Sequence, residues 1–331
     1  MDTLGDLLVQ LLQQTFGPRV ELVDYQVAKR DRDYLVLLIQ LCRPSLQIVV
    51  KLAGPEAPRA SDFDRTAMLH RLVAAYTTIP MPEILAVDVS CRDWPWRYLI
   101  RTHIPGQEWA VVRQRMSAEE LSGAYRQLGE AVAQLHTIRF PAFGELAADG
   151  SVRGEGTYLA ALRAHAEGCI KSQRLRDLFH SALEKRRHLF LGVRDAGLCH
   201  EDLHQHNILF QARQGRWRLA TILDFDKAWA GHPETDLARL DLWTGMTSQE
   251  FWEAYEAICP VDPLYGERRP IYQLLWCLEC AWPTPEHIAD TRRVCKELGL
   301  LLDTALADTG SHPSGSPARL GCTGMSEQVL R

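Results

Sequence analysis

What the sequence lacks narrows it first. No apolar run approaches the ~18 residues that read as a membrane span, and the longest, such as YLVLLIQLC, falls well short, so no membrane partner is expected. The opening MDTLGDLLVQLLQQTFG has neither a basic region nor a small-residue cleavage site, which argues against an export signal. Positive charge is not in excess. The 37 Lys and Arg face 42 Asp and Glu, a formal charge of -5, which removes any general pull toward nucleic acid or anionic lipid. Cysteine supplies no framework: the nine cysteines are odd in number, Cys277-x-x-Cys280 has no second CxxC, and Cys259, His287 and Cys295 complete no zinc spacing. Core packing is the expectation for Cys277, and reduced thiols in a cytoplasm for the set as a whole. There is no internal repeat.

What is present is an ordinary globular mixture, 46% hydrophobic and 24% charged, in 331 residues, which is long enough to bury a core without disulfides or a structural metal. Leu4, Leu7, Leu8, Leu11 and Leu12 share one helical face, and Gly17-Pro18 ends that helix. VELVDYQV, YLVLLIQL and LQIVVKL then read as an antiparallel meander ending at Lys51. A helix follows at Phe63, Ala67, Met68, Leu72 and Val73, with two further strands in IPMPEILAVDVS and WRYLIRTHIPG. Beyond Ile104-Pro105-Gly106 the character turns helical, through Leu121, Tyr125, Leu128, Val132 and Leu135 and later Leu175, Leu178, Leu183 and Phe190. Inside that half, NILFQA and WRLATILDF flank Arg213-Gln214-Gly215 as a hairpin. The stretch after Leu306 is rich in Gly, Ser and Pro and reads as a disordered tail.

The chemistry concentrates in CHEDLHQHNILF, residues 199–210, and TILDFD, residues 221–226. An antiparallel return about Gln214 and Gly215 brings Asn207 beside Asp224. An amide oxygen and a carboxylate converging in this way suit Mg²⁺, which takes a few hard oxygen ligands and leaves its other positions to water and phosphate. Asp202, just upstream, is left to face a substrate hydroxyl. His200, His204 and His206 with Asp202 also resemble a metallohydrolase cluster, but that reading leaves Asn207, the DFD segment and Lys51 unexplained.

HxDxHxxN (His200, Asp202, His204, Asn207) followed by an apolar strand and DFD resembles the catalytic and metal-binding loops of the aminoglycoside phosphotransferases and related small-molecule kinases of the protein-kinase-like superfamily. The resemblance extends to the order of IVVKLAG, YLIRTHIPG, LGEAVAQLH and GHPETDLARL and spans residues from about 20 to 300. It implies an α+β, two-lobed protein-kinase-like fold: a small antiparallel-sheet N-lobe over residues 1–104, a larger and mainly helical C-lobe over 105–307, and the tail over 308–331. It further implies ATP-dependent transfer of the γ-phosphate to a hydroxyl of a small molecule, with GTP left open as the nucleotide, in a monomer or weak homodimer. Residue by residue, it makes Asp202 the base or orienting carboxylate and Asn207 and Asp224 the Mg²⁺ ligands. Lys51 would contact the nucleotide phosphates, the backbone at Arg101, Thr102 and His103 would hold the adenine, and His200 and Asp236 would brace the loop from behind. A nucleotide-binding regulatory module without transfer is the competing class.

Two departures stand out. The turn AKRDRD, where the superfamily often has glycine, has none, so Lys29, Arg30 and Arg32 either meet phosphate or form a solvated tip. The helix SDFDRTAMLHRL presents Thr66 where an acidic partner for Lys51 is expected, which leaves Asp62 or Asp64. For the acceptor, residues 228–300 hold twelve acidic against six basic residues, a bias toward a cationic aminoglycoside or other amine-bearing alcohol. The tryptophans of this region make an apolar acceptor such as a macrolide the second choice. Glu250, Glu253 and Glu256 read as a solvated helix face that would also serve as an acidic wall.

Overall fold

The first sheet is built of apolar runs, and its second strand alternates buried with less buried positions. Strand β1 (Glu21–Arg30) pairs with β2 (Leu35–Arg43), which buries Leu35, Leu37, Ile39 and Leu41 on one face. Strand β3 (Leu46–Ala53) follows on the other side of β2 and runs two residues past Lys51. The structure, a computed structural model, describes residues 3–30, 34–54, 57, 62–279 and 284–300. The tip of the glycine-free turn, 31–33, and the expected tail, 308–331, lie outside the described residues.

Helix α1 (Thr3–Phe16) lays Leu8, Leu11 and Leu12 on the sheet face that carries Leu37, Ile39, Ile48 and Val50. Helix α2 (Phe63–Tyr76) has a divided allegiance. Its Phe63 and Ala67 meet Ala53 and Leu99 of the sheet, whereas Leu69 and Val73 belong to the large core of the second half. Strands β4 (Ile84–Asp88) and β5 (Arg97–Thr102) complete an antiparallel sheet of order β1-β2-β3-β5-β4.

The second half is mainly helical. The helix Ala118–Thr137 starts on a capping box, with Ser117 Oγ accepting from the Glu120 N–H and the Glu120 carboxylate accepting from the Ser117 N–H. It buries Leu128, Val132 and Leu135 and crosses the helix Gln249–Glu256 so closely that Gly129 lies against the Phe251 carbonyl. The spacing carried through Phe190 divides in the structure: the helix Gln173–Lys185 ends first, and Arg187–Phe190 forms a separate tight 3₁₀ turn.

Short strands also appear that periodicity did not reveal. Arg139–Phe140, Phe143–Leu146, Val152–Glu155, Ala196–Cys199 and Trp229–Gly231 form an antiparallel ribbon sheet, and Gln107–Glu108 adds a third strand to the hairpin. Runs of two to four residues are too short to establish an alternation. Among the described residues no helix is long and apolar enough to cross a membrane. The seven described cysteines are all free thiols, and Cys277 is buried in the core.

Candidate active site

Lys51 stands on β3 between Val36 and Leu99, its side chain 13% exposed. Its ammonium lies 3.4 Å from Asp226 Oδ2, while Thr66 Oγ1 of α2 donates to Asp226 Oδ1 at 2.8 Å. The partner is therefore neither Asp62 nor Asp64. Asp62 is exposed, and Asp64 accepts from the Arg65 N–H. The charge comes from the second Asp of DFD, and the Thr66 hydroxyl fixes that carboxylate from the position where an acidic residue was expected. Burial works against ionisation of Asp226, and Lys51 and Thr66 outweigh it, holding the carboxyl below its ordinary range.

The segment Arg101–His103 leaves β5 with its amides engaged. The Thr102 N–H donates to the Glu83 carbonyl and the His103 N–H to that of Gln47, both at 2.9 Å. The next N–H along the chain is that of Ile104. Burial lowers the Arg101 guanidinium to about 10, and Asp224 and Asp226 partly offset this, so its side chain lies in the field of the acidic pair.

The loop His200–Asn207 is clamped from behind. Asp236, fully buried near the start of the helix Glu234–Leu242, accepts from the backbone N–H of His200 at 2.7 Å and of Glu201 at 2.8 Å. Its Oδ2 also lies 3.2 Å from His136 Nε2, and His136 Nδ1 in turn lies 2.8 Å from the Tyr255 hydroxyl. This clamp holds Glu201 at φ 61°, an unfavourable left-handed conformation for a residue with a side chain. His200 Nδ1 accepts from the Asp202 N–H, so its Nε2 carries the proton and donates to the Leu223 carbonyl at 2.9 Å. Both ring nitrogens are thus engaged, and no group of three or more His, Cys, Asp or Glu poised to hold a metal is found among the described residues.

The hairpin Ile208–Arg213 and Arg216–Ile222 turns through Gln214 and Gly215, both at positive φ, the geometry of a two-residue turn. Its register differs by one from the expected pairing. Ile208 faces Ile222 after an irregularity between Leu209 and Phe210, and Leu223, not Asp224, returns its N–H to the Asn207 carbonyl. Asp224 follows in a left-handed conformation, φ 68°.

A divalent cation fits the donors here. Asp224 Oδ1 is buried with no hydrogen-bond partner, and burial together with Asp226 pushes the carboxyl above its ordinary range, a condition that a cation would relieve. Asn207 directs Nδ2 to the Asp202 carbonyl at 2.9 Å, so its Oδ1 is the side-chain atom suited to a metal.

Asp202 lies in the wall of a cavity of about 260 Å³ that it shares with His204, Lys227, Arg239 and Glu279. Trp243 and Trp276 supply the aromatic side of the same cavity. Lys227 Nζ bridges Asp202 Oδ1 at 3.1 Å and Glu279 Oε1 at 2.9 Å. Arg239 Nη2 reaches Glu201 at 3.1 Å and Glu279 at 3.4 Å, with its Nη1 3.7 Å from Asp202. Burial would raise the Asp202 carboxyl, but the Lys227 and Arg239 charges prevail and hold it below its ordinary range.

Asp226, Lys227, Arg239 and Glu279 were not among the expected site residues. Glu279 had a signal, a single charge in the apolar stretch QLLWCLECAW. Arg239 had a weaker one, three residues after Asp236 on the same helix.

A model of the APH phosphotransferase enzyme family matches residues 26–271. No curated protein matches the sequence. Among solved structures, a Ralstonia eutropha protein provisionally described as an aminoglycoside phosphotransferase is similar with a TM-score of 0.60 at 13% identity, over 92% of this chain and 93% of its own. Spectinomycin phosphotransferase, solved with ADP and spectinomycin, gives 0.46 at 14% identity over 88% and 93% of the two chains. Plasmodium vivax ethanolamine kinase gives 0.47 at 13% over 87% and 84%. The first of these likenesses carries the kinase-like phosphotransferase fold, as the loop motifs implied. With the family model spanning most of its length, the chain belongs to the APH phosphotransferase enzyme family.

Proposed function

We propose that this phosphotransferase moves the γ-phosphoryl group of ATP, or of GTP, to a hydroxyl of a small molecule in the cavity beside Asp202. The observation that carries the reading is the adjacency of two differently equipped carboxylates. Asp202, held ionised, lines a cavity, while Asp224 carries a buried oxygen with no hydrogen-bond partner and Asn207 keeps its amide oxygen for a metal. Asn207 and Asp224 would hold Mg²⁺, which when bound would supply charge neutralisation at the phosphates.

The chain's own residues provide the rest. Lys51 meets phosphate from β3, exchanging its contact with Asp226 for one with the nucleotide. The adenine edge lies along Arg101–His103, with the Ile104 N–H as the donor that the sheet leaves over. Asp202 accepts the hydrogen bond of the acceptor hydroxyl and aims its oxygen in line. A carboxyl held below its ordinary range is a weak base, so orientation outweighs early proton removal, in keeping with a loose phosphoryl-transfer transition state. His200 and Asp236 keep the loop in its strained form, and a cytoplasmic setting suits this chemistry.

The test is a thermal-shift titration with Mg-ATP and Mg-GTP, followed by γ-phosphate release over a panel of hydroxylated metabolites and antibiotics. Transfer to at least one alcohol is expected. Nucleotide binding without transfer to any acceptor would instead support the regulatory module.

A further inference from the structure

The acidic excess of residues 228–300 does not reach the cavity. Glu234 and Asp262 pair with Arg268, Asp241 pairs with Arg269, and Asp236 serves the backbone of the loop. Glu253 and Glu256 are exposed on the helix Gln249–Glu256 and Glu250 is half-buried there, so they form no acidic wall of the cavity. Of this acidic set only Glu279 lines the cavity.

The charges that do line it balance, Asp202 and Glu279 against Lys227 and Arg239. Glu201, buried next to Arg239, is further satisfied by the Trp229 Nε1–H at 2.9 Å. The Lys227 ammonium sits between the two carboxylates, where the amine of a cationic acceptor would gain most. An incoming amine would therefore meet a cation at the place of strongest attraction.

The unsatisfied groups point the same way. Two donors on lining residues make no hydrogen bond: Trp243 Nε1, and Arg239 Nη1, which has only its longer 3.7 Å ion pair with Asp202. Their complement is an oxygen lone pair, which an ammonium group does not offer. Around them the aromatic side is continuous. Trp243 and Trp276 meet edge to face at 5.1 Å, and His204 stacks on Trp243 at 6.1 Å.

We propose that Lys227 is a built-in counter-ion reserving the acceptor site for an uncharged, oxygen-bearing alcohol whose apolar ring or chain rests on Trp243 and Trp276, and that it turns amine-bearing alcohols away. The proposal rests on the phosphotransfer reading of the site, and it departs from the cationic acceptor suggested by charge counting.

Three matched probes test it: 3-phenylpropan-1-ol, 3-phenylpropan-1-amine and 3-phenylpropanoate, titrated against the full chain by tryptophan fluorescence. Wild type is expected to hold the alcohol at least roughly tenfold more tightly than the amine, the size of effect one desolvated like-charge contact supplies. Lys227→Gln should reverse that order, and the double variant Lys227→Gln/Glu279→Gln should restore it by returning the lining to balance. Circular dichroism and melting curves establish that each variant is folded. Equal binding of amine and alcohol by wild type, an unmoved preference in Lys227→Gln, tightest binding of the carboxylate, or no binding of any probe would each overturn the proposal. Loss of turnover in Lys227→Gln with probe preference unchanged would assign Lys227 to the phosphate instead. Mg-ATP thermal shift, run in parallel, separates these results from failure of the phosphotransfer reading, since the probe preference does not depend on nucleotide.

Discussion

Asp202 and Asp224 share one loop system yet differ in their surroundings, and substitutions should separate them. Asp202 is held ionised by Lys227 and Arg239 at a cavity wall. Asp202→Asn preserves shape but removes the charge that orients the hydroxyl, so Mg-nucleotide affinity should persist while turnover falls by about 10²–10⁴-fold, the usual range for a positioned proton acceptor. Calorimetry and single-turnover transfer on the same preparation check this, and near-wild-type turnover would remove Asp202 from its role. Asp224→Ala should act on binding. Removal of an outer partner of a metal ligand typically costs about 10–100-fold in metal affinity, and loss of a ligand should cost at least as much. An unchanged Mg²⁺ dependence of nucleotide binding would contradict the assignment. Asp224 also explains its own visibility in the sequence, because a left-handed Asp after an apolar strand forms part of a recognisable motif. Lys227 and Glu279 had no such motif. They meet through the fold, 52 residues apart, and only the lone charge in an apolar helix hinted at one of them.

Among the elements, the crossing of Ala118–Thr137 over Gln249–Glu256 yields a prediction of unusual sign. Replacing a mid-helix glycine by alanine ordinarily stabilises by up to about 1 kcal/mol. At Gly129 the added Cβ would fall on the Phe251 carbonyl oxygen, which belongs to backbone and has little freedom to yield. Gly129→Ala should therefore destabilise, by about 1–3 kcal/mol as in other overpacked cores, and chemical denaturation would measure it. A neutral or stabilising outcome would mean that the two helices separate without cost. Long elements were legible for the same reason that this contact is tight: apolar residues recur on one face over several turns. The ribbon sheet Arg139–Phe140 to Trp229–Gly231 was not, since its strands are shorter than the pattern that would disclose them. The hairpin lay between these extremes. Gln214 and Gly215 marked the turn, but the tight turn sets Arg213 opposite Arg216, and the irregularity between Leu209 and Phe210 recovers only one of the two residues by which the expected pairing of Asn207 with Asp224 departs from that register.

For the whole molecule, carboxylates held below their ordinary values share the acid limb of stability with imidazoles buried in neutral form. Glu279 opposes its own burial through Arg239 and Lys227, and Asp202 does so through Lys227 and Arg239. A carboxyl lowered on folding contributes stability above its unfolded value, 4.5 for Glu279 and 3.8 for Asp202, and loses it as pH falls through the lower folded value. The Lys227 ammonium, raised from 10.5, contributes below that value and loses its contribution only as pH rises above it. Burial lowers the His70 and His232 imidazoles to about 3, which costs stability as pH falls below 6.5, whereas His165, whose burial is outweighed by Cys169 and Glu145 so that it is raised to about 10, loses its contribution as pH rises above 6.5. Melting temperature should thus hold a plateau only at about pH 6.5 and fall on both sides. Glu279→Gln should lower the plateau and make the acid limb shallower. A limb of unchanged steepness would place the controlling carboxylates elsewhere.

Asp226 ties three parts of the protein together with one carboxylate: Lys51 from the sheet, Thr66 from α2, and the end of the hairpin on which it stands. Arg65 reinforces the same junction by donating to the carbonyls of Asp226 and Ala228. On the proposed role of Lys51, a polyphosphate would compete with this carboxylate for the ammonium. Occupancy of the phosphate site would then compete for one of the ties that join the sheet to the hairpin end, while α2 keeps its own ties to that end through Thr66 and Arg65.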